Sequence, residues 1–177
     1  MDITLVLHNI RSTYNVGAIL RTAEGFDVSK VILSGVTPRY DDPGALPHLR
    51  DKLNHQIAKS ALGAEEMVTI DLIDDLTGWL EGQRLKSATI IGLENNLREA
   101  ELSRKLPAGT DEADRVLASL DSHDVVLLLG EEVNGIPDDL RDKMDYFLEF
   151  PMQGQKESFN VSVATGMALW ELTRRRI

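Results

Sequence analysis

Three segments of this sequence carry side chains that could do chemistry: Asn15 to Arg21, Gly130 to Gly135, and Phe150 to Ala164. Arg21 is the first candidate. It sits about 100° round a helix from Leu20, beside an apolar stripe rather than in it. Its neighbours at i−4 and i+4 are Gly17 and Gly25. Those bare positions leave a permanently charged guanidinium uncovered, and two glycines weaken a helix by roughly 1–2 kcal/mol relative to alanine. A surface ion pair with Glu24 at i+3, worth about 0.2–0.5 kcal/mol, accounts for the arginine equally well.

The segment Gly130-Glu131-Glu132-Val133-Asn134-Gly135 directly follows an apolar run. It lacks the lysine of a Walker A loop and the spacing of a dinucleotide fingerprint. Its carboxylates would repel a pyrophosphate. Such a turn suits a cationic or zwitterionic cofactor, or holds side chains of the Ser158 loop through carboxylate hydrogen bonds; a solvated acidic turn is the plainer alternative. In the third segment an apolar strand end runs into Pro151 and Gly154, and a helix opens on Ser158 and Asn160 with almost no large side chains in its first turns. That combination reads as a tight loop whose backbone holds a ligand. Ser158 and Ser162 lack a nucleophile-elbow context. His8, His48, His55 and His123 read as structural or surface residues, and no metal site is expected, since there is no cysteine and no carboxylate arrangement completes one.

The elements that must position these groups follow from apolar patterning. Ile3–Leu7, Lys30–Ser34, Val68–Leu72, Thr89–Leu93, Val125–Leu129 and Tyr146–Phe150 read as strands. Asn15 reads as the N-cap of a helix whose stripe is Val16, Ile19, Leu20, Ala23 and Phe26. Further helices are expected over 48–61, 73–85, 112–120, from Pro137 to about Met144, and over 161–175, with Val161, Ala164, Ala168 and Leu172 on one face. Residues 35–47 form a long loop, and 94–124 is charged and weakly patterned, with a break at Pro107 to Gly109. The order implies one α/β domain spanning 1–177, a mostly parallel sheet of about six strands with helices on both faces. Ligands on such sheets bind at the carboxyl ends of the strands, where all three segments fall, each expected to lead into a helix N-terminus.

Composition narrows the function. At 42% hydrophobic residues a core can form, and no run is long enough to span a membrane. The first residues, MDITLVLHNIR, lack the features of a signal peptide. The absence of cysteine excludes disulfides and thiol nucleophiles and fits a reducing, cytoplasmic setting. A net charge of −10 argues against loose, non-specific binding to nucleic acid while leaving room for a local basic site. The triplet Arg174, Arg175, Arg176 reads more readily as a cationic helix end than as an RNA-touching tail.

The three segments, in this order, resemble the motifs of the TrmH/SpoU-type RNA 2′-O-ribose methyltransferases of the SPOUT superfamily. The first is Asn9 to Ala23, the second Leu128 to Gly135, and the third Phe150-Pro151-Met152 through Ser158-Phe159-Asn160 to Ala164. Lys59 to Glu65 also resembles a segment of the small, single-domain members. The resemblance implies a C-terminal trefoil knot, S-adenosylmethionine bound in a bent form, and a homodimer with the site at its interface. It implies that Arg21 activates a ribose 2′-hydroxyl of tRNA or rRNA and Asn15 helps position it, with Glu132, Ser158 and Asn160 shaping the site. The methyl donor would lie against Gly130, Phe150, Met152 and Phe159, with Leu93 close. No metal is implied. Glu131, Phe159 and Phe150 stand where the family commonly has Asn, Leu and Ile, and the segment 94–124 is longer than usual. With no separate RNA-binding domain expected, the dimer or an accessory protein would hold the RNA. Base methylation by the same fold, or a catalytically silent RNA- or cofactor-binding dimer, are the alternatives.

Overall fold

The computed structural model describes residues 2–120 and 123–174. Its centre is a seven-stranded sheet in the order β3-β2-β1-β6-β4-β7-β5, and every pairing is parallel. The strands are β1 (Ile3–His8), β2 (Lys30–Ser34), β3 (Ile70–Ile73), β4 (Thr89–Leu93), β5 (Lys105–Pro107), β6 (Val125–Leu129) and β7 (Tyr146–Glu149). β6 lies between β1 and β4 and is buried at all five positions. Its Val-Val-Leu-Leu-Leu run is what a strand covered on both faces requires. β5 is the seventh strand, not foreseen from sequence. It has only three residues, ends in a proline and pairs on the sheet edge with β7, a position that tolerates both features.

Period-two alternation splits the core into two layers. Leu5, Leu7, Leu33, Ile91, Leu127 and Leu148 face the layer of α1 (Thr13–Gly25), α2 (Pro47–Ala61), α4 (Asp111–Ser119) and α6 (Val161–Thr173). Val6, Ile32, Ile90, Val126, Leu128 and Phe147 face α3 (Leu76–Leu85) and the short α5 (Asp138–Arg141). Helices therefore cover both faces, as the pattern requires. Among the described residues no helix is long and apolar enough to cross a membrane.

Two local readings need correction. α1 starts at Thr13, and its N-cap is Ser12, whose hydroxyl accepts from the Asn15 N–H. Asn15 thus sits in the first turn with its amide free for tertiary bonds. Gly17 does not clear space above Arg21. A Cβ there would lie 2.3 Å from the Ile57 carbonyl oxygen and 2.3 Å from Ser60 Oγ, so this glycine lets α1 approach α2. At the other end of the chain, Arg174 caps α6 and pairs with Asp114 and, at 3.0 Å, with Glu171. Arg175 and Arg176 lie outside the described residues.

Candidate functional site

The carboxyl ends of β4, β6 and β7 open onto a cavity of about 340 Å³, within the range of roughly 300–1,000 Å³ typical of small-molecule sites. Asn15, Leu93, Gly130, Glu132, Phe150, Ser158, Phe159 and Asn160 line it, as do Glu94, Asn95, Glu131 and Glu157. The three motif segments do converge. Two expected residues stand apart: neither Arg21 nor Met152 lines the cavity. Arg21 lies six residues beyond Asn15 along α1, about 9 Å further along the helix axis. It is exposed, and its side chain has no hydrogen bond or ion pair among the described residues, to Glu24 or any other group.

A single chain of side chains joins the three segments. Glu132 Oε1 accepts from Ser12 N–H at 3.3 Å and from Asn15 Nδ2 at 3.1 Å, and its Oε2 accepts from Arg11 N–H at 3.3 Å. Asn160 Nδ2 donates to Asn15 Oδ1 at 3.2 Å. Asn160 Oδ1 in turn accepts from the backbone N–H of Ser162 at 2.9 Å, capping α6. Partial burial pushes the Glu132 carboxyl up, but hydrogen bonds from its own backbone N–H, Asn15, Arg11 and Ser12 outweigh it and hold the group below its ordinary value. The carboxylate stays ionised and accepts only. The Asn15 amide is therefore fixed in one orientation, with one N–H and one carbonyl lone pair still available.

The expected helix N-terminus after Gly130 is not there. Glu131 and Gly135 exchange both backbone hydrogen bonds, at 3.1 and 3.0 Å, in a closed turn. A Cβ on Gly130 would fall 2.2 Å from the Gly135 carbonyl carbon, and Gly135 itself holds φ +68°. These two glycines make the turn possible. The one-turn helix α5 follows behind Pro137. Likewise, nine residues separate Phe150 from Asn160, the N-cap of α6.

Sequence reasoning missed the groups that brace these loops. Glu94 Oε2 accepts from Ile136 N–H at 3.0 Å and from Arg141 Nη1 at 3.3 Å. Arg141 is buried and makes a two-pronged pair with Glu101, 2.7 Å at each prong. Its Nη2 also donates to the Asn96 carbonyl at 2.7 Å. The Arg141 hydrogen bond, prevailing over burial, lowers the Glu101 pKa to about 2. Glu94 and Asn95 stand directly behind an apolar strand that ends toward the ligand side, the one signal that would have pointed to them. At the end of β1, the left-handed Asn9 (φ 59°) donates from Nδ2 to His8 Nε2 at 3.0 Å, so His8 carries its proton on Nδ1, 2.9 Å from Ser34 Oγ. Burial lowers the His8 pKa, with Asp139 and Glu131 opposing.

Known proteins supply the context for this geometry. A model of the SpoU rRNA Methylase family matches residues 2–170. The chain is 32% identical over 177 residues to the 23S rRNA (guanosine-2′-O-)-methyltransferase RlmB of Pseudomonas aeruginosa, covering 99% of this chain and 60% of that protein. It is 28% identical to RlmB of Coxiella burnetii, over 97% of this chain and 58% of that protein. The chain thus spans about 60% of the length of these curated relatives. The fold is similar to that of an AdoMet-bound rRNA methyltransferase from Sinorhizobium meliloti, with TM-score 0.74, 22% identity, and coverage of 99% of this chain and 57% of that one. It is also similar to the TrmH/SpoU tRNA modifying enzyme of A. aeolicus, with TM-score 0.73, 21% identity, and coverage of 99% and 75%.

Proposed function

We infer that this chain, which belongs to the SpoU rRNA methylase family, transfers the methyl group of S-adenosylmethionine to a ribose 2′-hydroxyl of RNA. The observation that carries this reading is the charge of the cavity. Four carboxylates line it (Glu94, Glu131, Glu132 and Glu157), and among the described residues no Lys, Arg or His does. A phosphate-bearing cofactor would be repelled there. A donor with a sulfonium and an ammonium against one carboxylate carries net positive charge and fits, while Leu93, Leu129, Phe150 and Phe159 offer apolar wall to an adenine ring. The two RlmB relatives named above are 23S rRNA (guanosine-2′-O-)-methyltransferases, which favours rRNA, then tRNA, as substrate.

When bound, the donor supplies a methyl group to in-line attack by O2′ and is left as a neutral thioether. The chain's own residues do the rest. Asn15, fixed by Glu132 and Asn160, offers its remaining N–H and lone pair to the ribose. Arg21 is a poor base because its guanidinium stays protonated. It stabilises the charge that develops on O2′ as the hydroxyl proton passes to water, the kind of preorganised electrostatic help that dominates many enzymes. Met152 does not line the cavity.

Because Arg21 lies outside its own cavity, the reading completes the site with a second copy of the chain, in a homodimer that brings Arg21 of one copy to the cavity of the other. Exposed Tyr14, Phe159, Val163 and Trp170, on or beside α1 and α6, supply apolar surface for such a contact. The C-terminal knot belongs to the same reading. The segment leaving β4 crosses to β5 beyond β7 and returns through α4 to β6, and the chain leaving β7 packs α6 back on α1 and β4. A cytoplasmic location follows from the RNA substrate.

The test is incubation with methyl-labelled S-adenosylmethionine and cellular RNA, followed by nucleoside analysis. Label in 2′-O-methylated nucleosides is expected, and Arg21→Ala should abolish it while donor affinity stays within several-fold. Label in a base would overturn the 2′-oxygen assignment. No label with bound donor would leave a silent dimer.

A further inference from the structure

We propose that Asn95 is a positioning residue of the methyl-donor site: its single side-chain amide closes the base of the 150–157 loop and so sets the shape of the cavity. This deepens the reading above and rests on it for the identity of the donor.

The path of the chain at the end of β4 carries the argument. The Glu94 N–H donates to the Leu148 carbonyl at 3.2 Å, the last backbone rung between β4 and β7. One residue later the main chain has left the ladder, since the Asn95 N–H is turned to Glu94 Oε1 at 3.0 Å. The Asn95 side chain takes over the rung. Its Oδ1 accepts from Phe150 N–H at 3.2 Å and its Nδ2 donates to the Phe150 carbonyl at 3.0 Å. A primary amide presents the same C=O and N–H pair as a peptide, so it pairs with Phe150 as a strand residue would. The second hydrogen of Nδ2 points to the Glu157 carbonyl at 3.5 Å. One side chain therefore grips two backbone points seven residues apart.

No other hydrogen bond holds this loop among the described residues. Among the described residues, 151–159 make no backbone–backbone hydrogen bond, and the Asn95–Glu157 contact is their one hydrogen bond of any kind. Asn95, Phe150 and Glu157 all line the cavity, with Ser158 and Phe159 following directly. Without the grip, the loop must be ordered at the moment of binding, and that entropy is drawn from affinity. Glu94 does the corresponding work on the other side by accepting from Ile136 N–H. Two adjacent residues at one strand end thus brace both loops that face the donor.

The chemistry at position 95 is specific. Aspartate accepts only, so it would face two carbonyl oxygens with no proton to give. Alanine loses all three contacts. Glutamine keeps the groups on a stem one methylene longer. Affinity for S-adenosylmethionine, measured by titration calorimetry, should therefore fall in the order wild type, Asn95→Gln, Asn95→Ala, Asn95→Asp, with at least a tenfold loss at alanine. A purely structural role would move melting temperature in step with affinity, whereas here the melting temperatures of the folded variants should stay close together. Hydrogen exchange without donor gives a second readout, with the Phe150 amide exchanging at least tenfold faster in Asn95→Ala. Should that variant not fold, Asn95→Gln and Asn95→Asp carry the same comparison. If wild type binds donor and the variants bind within twofold of it, with Phe150 exchange unchanged, the inference is overturned. Should wild type not bind S-adenosylmethionine while Phe150 exchange still responds, the donor assignment fails and the loop brace stands.

Discussion

Replacing Glu101 with alanine should cost this protein about 3 kcal/mol, the lower end of what breaking a buried ion pair costs. Arg141 is buried, with its side chain only 5% exposed, and Glu101 is its two-pronged partner at 2.7 Å. Removing the carboxylate leaves the guanidinium with the Asn96 and Ile136 carbonyls and one remaining counter-charge, Glu94, held by a single longer contact of 3.3 Å. The titration of Glu101 gives a second route to the magnitude. Its pKa falls from an ordinary 4.5 to about 2, chiefly through the Arg141 hydrogen bond, and that gap corresponds to about 3 kcal/mol. Because the folded value lies below the unfolded one, this stabilisation is present above pH 4.5 and is lost as pH falls toward about 2. Urea unfolding followed by circular dichroism, at pH 7 and at steps down to pH 3, reads both effects. Glu101→Ala should lower the unfolding free energy at pH 7 and flatten the acid limb. The paired change Glu101→Leu with Arg141→Met should recover only a small part of the loss, since it leaves no buried guanidinium but takes the Arg141 partner from Glu94. A cost below about 1 kcal/mol for Glu101→Ala, with the acid limb unaltered, would refute the reasoning and reduce the pair to a surface-like contact.

Two further predictions concern the strand end at β1 and the α1–α2 contact. The His8 pKa is depressed by burial, so the unfolded chain takes up the proton first: stability is present above about pH 6.5 and is lost as pH falls through the window below it. Melting temperatures at pH 7.5 and 5.5 should show a smaller drop for His8→Gln than for wild type, and an equal drop would contradict the assignment. Gly17→Ala gains about 1 kcal/mol of helix propensity but drives a methyl into the Ile57 carbonyl and Ser60 hydroxyl, an overpacking cost of about 1–3 kcal/mol. Thermal unfolding should show net destabilisation, and a stabilised variant would mean that α2 yields freely.

The legible part of this fold was the part written in local pattern. The run Val125–Leu129 declares a strand buried on both faces, and it lies in the sheet centre. The stripe Val16, Ile19, Leu20 and Ala23 faces the core as its spacing requires. What escaped was set by distant partners. Gly17 looked like room for its i+4 neighbour, whereas the space is taken by α2, some 40 residues away in sequence. Asn15 looked like a cap because its residue type favours that position, whereas Ser12 holds it, and only the position of Glu132 shows why the amide is spared. β5 is too short to show a period, and its pairing with β7 depends on chain that follows 39 residues later. Glu94, Glu101 and Arg141 read as ordinary charged residues, because burial of a charge is invisible until its counter-charge is placed beside it. In the site, residue types and order were legible in the three segments, while the distance of Arg21 from its own cavity was not: helical spacing fixes a face, not what lies across it.

Crystals of the protein grown with saturating S-adenosylmethionine would weigh the whole account at once. The donor should lie between Leu93, Gly130 and Phe150, with its methyl directed past Asn15 and a second copy's Arg21 brought near. Density for the donor elsewhere on the molecule, or none at saturation, would contradict it.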